Sequence, residues 1–457
     1  MTEIAPHKQY IDLYLEHKSL VERDAPSLLN EKREFACQML REMGLPPFKS
    51  EEYQRIDVPS AFDKNYGLNL NRAILPAEDS LAYSCDIDKE DLAVKSSVFN
   101  DDYRQTFFEN AKRRLPKEVF VGSIVEFATL YPEIAAKHYA KAAEVDTDGL
   151  VALNTMLVQD AFVLYIPRGV RVEQPIHLVQ MLRSGVDLLC NRRGLVILEE
   201  DAKATLLVCD HTLDSVDFLV NQVIEVYVAK KAHFELYDLE ENSSKVTRFS
   251  SFFVRQEANS CAAVRCLTLN NGVTRNNIRA RFLGPNAEIS VDGLGIGGNS
   301  QYIDNLMRVE HTRPDCKSNQ LFKYILNDQA SGAFSGRIFV ANGAQHTEAL
   351  QNNRNLLLSS SAKMYSKPQL EIYADDVKCT HGLTTGELDE EALFYMQQRG
   401  IPEEQARIML SIAFADDIVR LIPLESLRNK VYEVIESRFS GDVCSHKHCS
   451  KCGKMIF

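Results

Sequence analysis

One pattern recurs through the middle of the chain and restricts the folds open to it. A polar or glycine-containing turn leads into an alanine, and strand-like alternation then resumes. It occurs at Leu198-Glu199-Glu200-Asp201-Ala202-Lys203-Ala204 and at Val228-Ala229-Lys230-Lys231-Ala232-His233-Phe234. It returns at Gln256-Glu257-Ala258, Gly284-Pro285-Asn286-Ala287-Glu288-Ile289 and Asn342-Gly343-Ala344. From Ala202 through Ala232, Ala258 and Ala287 to Ala344, the intervals are 30, 26, 29 and 57 residues, the last close to two repeats. A period of roughly 20 to 50 residues marks a stacked architecture. Short strands at that period predict a β-solenoid, in which each coil pairs only with its neighbours. A β-sandwich with similar turns is the competing fold on the residues alone.

The regions on either side read differently. Residues 7–43 carry a helical pattern with Ile11, Leu15, Phe35, Met39 and Leu40, ended by Pro46 and Pro47. A second helical pattern covers residues 123–142, with Ile124, Phe127, Ile134 and Tyr139 as packing positions. From Val151 to Tyr373 short strands dominate, with alternation at Val196/Leu198, Phe234/Leu236 and Ile289/Val291. After Gly386 helices return, with Asp389 as an N-cap, Gly400 as a stop, and Pro402 and Pro423 opening two more. Ile408, Ile412, Ala415 and Val419 lie along one face, as do Leu424, Leu427, Val431 and Val434. The expected division is a mixed helical region (1–115), a β core (116–385), a helical domain (386–439) and a Cys/His-rich tail (440–457). The helices are expected to cover the ends of the coil stack, since an open coil end is an exposed sheet edge.

Charge narrows the partners. Lys and Arg total 52 and Asp and Glu 64, a formal net charge of −12 that repels phosphate backbones and disfavours nucleic acid. No apolar run is long enough to span a bilayer. The N-terminus lacks the basic and apolar segments of a signal peptide, and a cytoplasmic location is expected.

Two constellations carry metal chemistry. In Asp375-Asp376-Val377-Lys378-Cys379-Thr380-His381-Gly382, residues two apart on a strand share a face. Cys379 and His381 then present a thiol and an imidazole together, suitable for iron, zinc or an iron–sulfur species. Two ligands leave the coordination sphere unfilled, so further ligands must come from another chain. The plainer reading is a buried cysteine and a hydrogen-bonded histidine in the last coil. The tail supplies Cys444, Cys449 and Cys452 with His446 or His448, a set that suits a tetrahedral zinc or iron site. Its alternative is a tail with reactive thiols. The other eight of the eleven cysteines are scattered and are expected to be mostly buried thiols.

Other signals argue against an enzyme. Asp292-Gly293-Leu294-Gly295-Ile296-Gly297-Gly298-Asn299 lacks the Lys-Ser/Thr ending of a phosphate loop and is read as a turn between coils. No Walker A sequence and no Gly-x-Ser-x-Gly elbow occurs. The pairs Asp375/Asp376 and Asp416/Asp417 are adjacent, which is poor geometry for paired carboxylates on a strand. No catalytic residue is assigned.

The chain resembles the SufD subunits of the SUF iron–sulfur cluster assembly machinery. Four stretches carry the likeness: Val151–Thr155 leading to Ile166-Pro167-Arg168-Gly169-Val170 and on to Leu178; Gly343-Ala344-Gln345-His346-Thr347-Glu348-Ala349 with Asn353–Ser359; Lys367–Gly382; and Gly386-Glu387-Leu388-Asp389-Glu390-Glu391 with Arg399-Gly400-Ile401. The related SufB subunits share the Cys-x-His-Gly core, but Leu370–Asp376 is more similar to SufD. The resemblance implies a mainly β fold, a right-handed parallel β-helix flanked by N- and C-terminal helical regions. It implies a non-catalytic scaffold that pairs with a SufB-like subunit through the β-helix. A SufC-like ATPase would bind through helices 387–439; whether the lone chain is a homodimer is left open. It also implies that Cys379 and His381 lie near the interface where a transient, shared cluster forms. Flavin binding is left open. Two features depart from the family: Tyr53 stands where tryptophan is usual, and the cysteine tail is extra. Two rivals to the scaffold remain, a self-contained metal-binding protein using the tail and a β-helix carbohydrate enzyme.

Overall fold

Parallel strands follow one another from Phe162–Ile166 to Val377–Gly386, alternating between two sheets. The computed structural model describes residues 5–72, 87, 89–105, 107–109 and 114–439. One sheet has ten strands and the other nine, and nearly every neighbour within a sheet is two strands away in sequence. This is a β-solenoid of about eight turns, a parallel β-helix, with helices on both sides of it in the chain. Inward-facing side chains such as Val196, Leu198, Phe234, Leu236, Ile289 and Val291 form the continuous core.

The register gives the true period. Lys203, His233, Cys261, Glu288, Lys317, Glu348 and Lys378 stand side by side in the ten-stranded sheet. Their spacings are 30, 28, 27, 29, 31 and 30 residues. Ala202, Ala232 and Ala287 each precede this row, whereas Ala258 and Ala344 lie in the turns and are out of step with it. One corner of each coil holds a residue in the left-handed region: Asp201, Lys231, Asn259, Asn286, Asp315 and His346. Asn and Asp tolerate that conformation because their short polar side chains bond locally.

Several sequence expectations are corrected. Residues 7–43 are three helices, His7–Glu16, Lys18–Glu22 and Ser27–Met43; the first break is at His17, and the second at Pro26, which adopts extended backbone and cannot sit inside a helix. The 123–142 pattern is two short helices, Ile124–Leu130 and Pro132–His138, split at Pro132. Val151 lies in a helix, Gly149–Leu157, capped by Asp148, and all nine of its residues are buried. A helix apolar on all sides cannot be told from a buried strand by period. The strands also run past Tyr373 to Gly386. Most of the glycine-rich run is strand, and only Gly298 and Asn299 lie in a turn between coils. Gly293 and Gly295 lie within the strand Glu288–Gly297, where a Cβ on Gly293 would meet the Phe322 ring.

The C-terminal helices sit elsewhere than expected. Asp389 caps Glu390–Gln398 through the backbone N–H groups of Glu391 and Ala392. Gly400 has φ +84°, and Glu403–Val419 and Glu425–Phe439 follow. Ile418, Val419, Leu427, Val431 and Ile435 pack on the outer face of the ten-stranded sheet, against Leu239, Leu267 and Leu294. They flank the stack instead of covering its last coil. The physical reason is the apolar outer column Cys209, Leu239, Leu267 and Leu294, which needs burial more than the polar coil end does.

Candidate functional site

Cys379 and His381 belong to Val377–Gly386, the last strand of the ten-stranded sheet, which pairs on one side only, with Thr347–Leu357. Cys379 points inward and packs on Ile338, Val340, Ala344, Ala349 and Ala374. His381, two residues on, shares that face and is exposed because no further coil follows. The two residues are about 7 Å apart along the strand, within reach of one metal ion or cluster. Burial pushes the Cys379 thiol up, partly opposed by a hydrogen bond with the Ala349 backbone. Its sulfur therefore has a proton to lose before it can bind metal. Among the described residues no group of three or more His, Cys, Asp or Glu could hold a metal ion. The tail candidates Cys444, His446, His448, Cys449 and Cys452 lie outside the described residues.

The floor beneath His381 escaped the sequence reading. One inward column runs Ile176, Leu206, Leu236, Val264, Val291, Gln320, Gln351 and His381. It is apolar for five coils and polar for the last three. Gln351 Nε2 donates to Gln320 Oε1 at 3.0 Å, and Gln351 Oε1 is buried without a hydrogen-bond partner. Beside this column Ser366 Oγ donates to Asn353 Oδ1 at 2.6 Å, and Asn355 Nδ2 reaches Thr385 Oγ1 at 3.0 Å. The core thus turns hydrophilic as it nears the open end. Aligning the strands at the coil spacing reveals the change from Val291 to Gln320; hydropathy along the chain does not.

A second buried polar group lies deeper in the coil interior. Arg248 Nη2 bonds Asp238 at 2.7 and 2.8 Å, and the guanidinium lies 3.7 Å from Glu240 and 3.6 Å from Asp210. Arg192 holds the same Asp210 at 2.8 Å. Burial raises Glu240 to about 7 despite Arg248. These groups are buried and ion-paired with one another, although Arg248 Nε and Nη1, Arg192 Nη2 and Asp210 Oδ1 lack hydrogen-bond partners, and they read as structure.

Comparison with known proteins covers most of the chain. A family model for the SufBD core domain of SUF-system FeS cluster assembly matches residues 181–414, and one for the SufBD N-terminal region matches residues 4–178. The chain belongs to the SufBD family. A SufBD family protein of Synechocystis is 27% identical over 438 residues, covering 93% of this chain and 94% of its own. The SufD proteins of Escherichia coli and Bacillus subtilis are 29% and 26% identical, covering 65% and 79% of this chain and 71% and 82% of theirs. This SufBD protein therefore acts in iron–sulfur cluster assembly. No described helix is long and apolar enough to cross a membrane. Tyr53 is buried, donates to Asp148 Oδ2 at 2.5 Å, and lies under the Arg275 guanidinium at 4.2 Å.

Proposed function

We propose that this SufBD protein is a non-catalytic scaffold subunit in the cytoplasm. It pairs with a SufB-like partner through its open coil end and with a SufC-like ATPase through residues 387–439. The observation that carries this reading is the unpaired last coil. Its two strands, Lys363–Ile372 and Val377–Gly386, each leave an edge free, and Tyr365, Ile372, Tyr373 and Leu383 are exposed there. A bare edge with apolar side chains is a template for another chain. Cys379 and His381 supply part of the ligand set for a nascent cluster, the cargo, and the partner supplies the rest. Phe394 and Tyr395, each 60% exposed on a helix with no buried residue, favour the ATPase contact.

The test is co-expression with SufB-like and SufC-like chains and anaerobic purification. His381→Ala is expected to leave the complex intact and to lower its cluster absorbance. Wild-type absorbance from that variant would remove His381 from the site. Phe394→Asp is expected to release the ATPase subunit alone.

A further inference from the structure

The outer face of the nine-stranded sheet carries a strap that comes from the N-terminal region. Residues 51–55 cross four successive strands there, Val273–Phe282, Tyr302–His311, Ser331–Val340 and Lys363–Ile372, the last of which belongs to the open coil. The middle of the strap is anchored. Tyr53 is buried beneath the Arg275 guanidinium, Arg275 Nη2 donates to the Glu52 carbonyl at 2.6 Å, and Arg279 Nη2 donates to Glu52 Oε2 at 2.8 Å. Two arms run from this anchor to the last coil. Glu51 Oε1 accepts from Lys367 Nζ at 2.8 Å and from Gln369 Nε2 at 3.2 Å, and its other oxygen lies 3.2 Å from Arg337. The Arg55 guanidinium stacks over the Tyr365 ring at 4.2 Å, and the Arg55 carbonyl accepts from the Tyr302 hydroxyl at 2.7 Å. Among the described residues no other carboxylate lies within 4 Å of Lys367. Glu51 is held down to about 2, first by the Lys367 hydrogen bond, so this arm stays charged at physiological pH and answers to salt.

We propose that residues 51–55 are a two-armed strap that keeps the last strand of the nine-stranded sheet ordered for an incoming partner chain. The proposal rests on the reading of the open coil end as a docking edge. A strand with a neighbour on one side only opens easily, and an edge that has opened must be ordered again before another chain can pair with it. The strap orders Lys363–Ile372 in advance, from outside the coil stack. Its arms are built to lift while its middle stays seated. Glu51 and Arg55 are exposed and make ionic and cation–π contacts, whereas Tyr53 is in the core. Between the strap and the sheet lies a gap of about 10 Å³, room for one water, lined by Glu51, Glu52, Arg308, Ser335, Arg337 and Gln369. The coupling runs both ways. A partner that fixes the edge also fixes the strap, and through the Tyr53 hydroxyl it reaches Asp148, the cap of the buried helix Gly149–Leu157.

The experiment follows amide hydrogen exchange of the full chain by peptide mass spectrometry. In Glu51→Ala, exchange of residues 363–372 is expected to be about fivefold faster, and that of the central strand Val246–Gln256 unchanged. Arg55→Ala is expected to give a smaller gain, about threefold, in the same peptides. Raising salt to about 1 M is expected to speed these peptides in wild type and to leave Glu51→Ala as it is. Both side chains are exposed, so neither variant empties the core. Unchanged exchange in both variants would overturn the strap. The dissociation constant for a SufB-like chain is then measured, and Glu51→Ala is expected to raise it by a factor similar to the gain in exchange. An unchanged constant despite faster exchange would also overturn the proposal, because the strap would then order an edge that docking does not use. A wild-type chain that binds no such partner counts against the docking edge itself, and the exchange result still decides whether the strap orders the last strand.

Discussion

Gln351 lies directly beside His381 in the parallel ladder, one coil further in, with its amide nitrogen given to Gln320 and its carbonyl oxygen left unpartnered in the interior. Removing both amides together as Gln320→Leu/Gln351→Leu continues the apolar column from Val291. Stability of the lone chain is expected to stay within about 1 kcal/mol of wild type, because replacing both members of a buried pair leaves nothing unsatisfied. Cluster absorbance of the complex is expected to fall. Denaturant titration and anaerobic spectroscopy on one preparation separate the two effects.

Gly293 tests whether the glycine run is core or connection. An added methyl would collide with the Phe322 ring in the next coil. Gly293→Ala is expected to destabilise the chain by about 1–3 kcal/mol, the usual range for overpacking. An unchanged denaturation midpoint would mean that the interior there is loose.

Arg248 lies against three buried acids, Asp238 most closely. Arg248→Met removes the one cation bonded to Asp238 among the described residues and leaves its carboxylate in the coil interior. The expected loss is about 3–5 kcal/mol, as for other broken buried pairs. Recovery in the double variant Arg248→Met/Asp238→Leu would show that the uncompensated charge, and not lost packing, is responsible.

His233 makes stability depend on pH. Its folded pKa of about 9 lies above the ordinary 6.5, so the folded chain binds the proton more tightly. The stabilisation is complete below pH 6.5 and is lost as pH rises through 9. Glu235, Cys261 and Lys203 face the ring from its own and both neighbouring strands, and Glu235 is its ionised partner. The stability gap between wild type and His233→Gln is expected to close between pH 6.5 and 9. Because the ring is 40% exposed, the gap itself is small, and thermal melts across that window measure it.

The period of the fold was legible in the sequence, and its register was not. Coils of 27 to 31 residues vary through their turns, so the alanine spacing counts Ala258 and Ala344 although they sit in the connections. Helix caps such as Asp389 and Gly400 were readable because local hydrogen bonding and a left-handed backbone decide them. The helix Gly149–Leu157 was misread because it is buried on every side. At the site, Cys379 and His381 could be paired from strand geometry. Their polar floor could not, since Gln320, Gln351, Asn353 and Asn355 meet only after strands some 30 residues apart are stacked. The Arg248 cluster was hidden for the same reason, as a charged residue in a strand ordinarily signals the outside.

The drift of the interior from oily to wet gives the rod a direction. Each coil leans on the one before it, so the last has half the support and the most hydrated filling. Fraying then starts at Val377–Gly386 and proceeds inward, while the middle coils hold. A chain that docks on this edge would supply the missing neighbour and cover the hydrophilic coil end in one step. Recognition at that end amounts to the rod gaining one more turn, made of someone else's backbone.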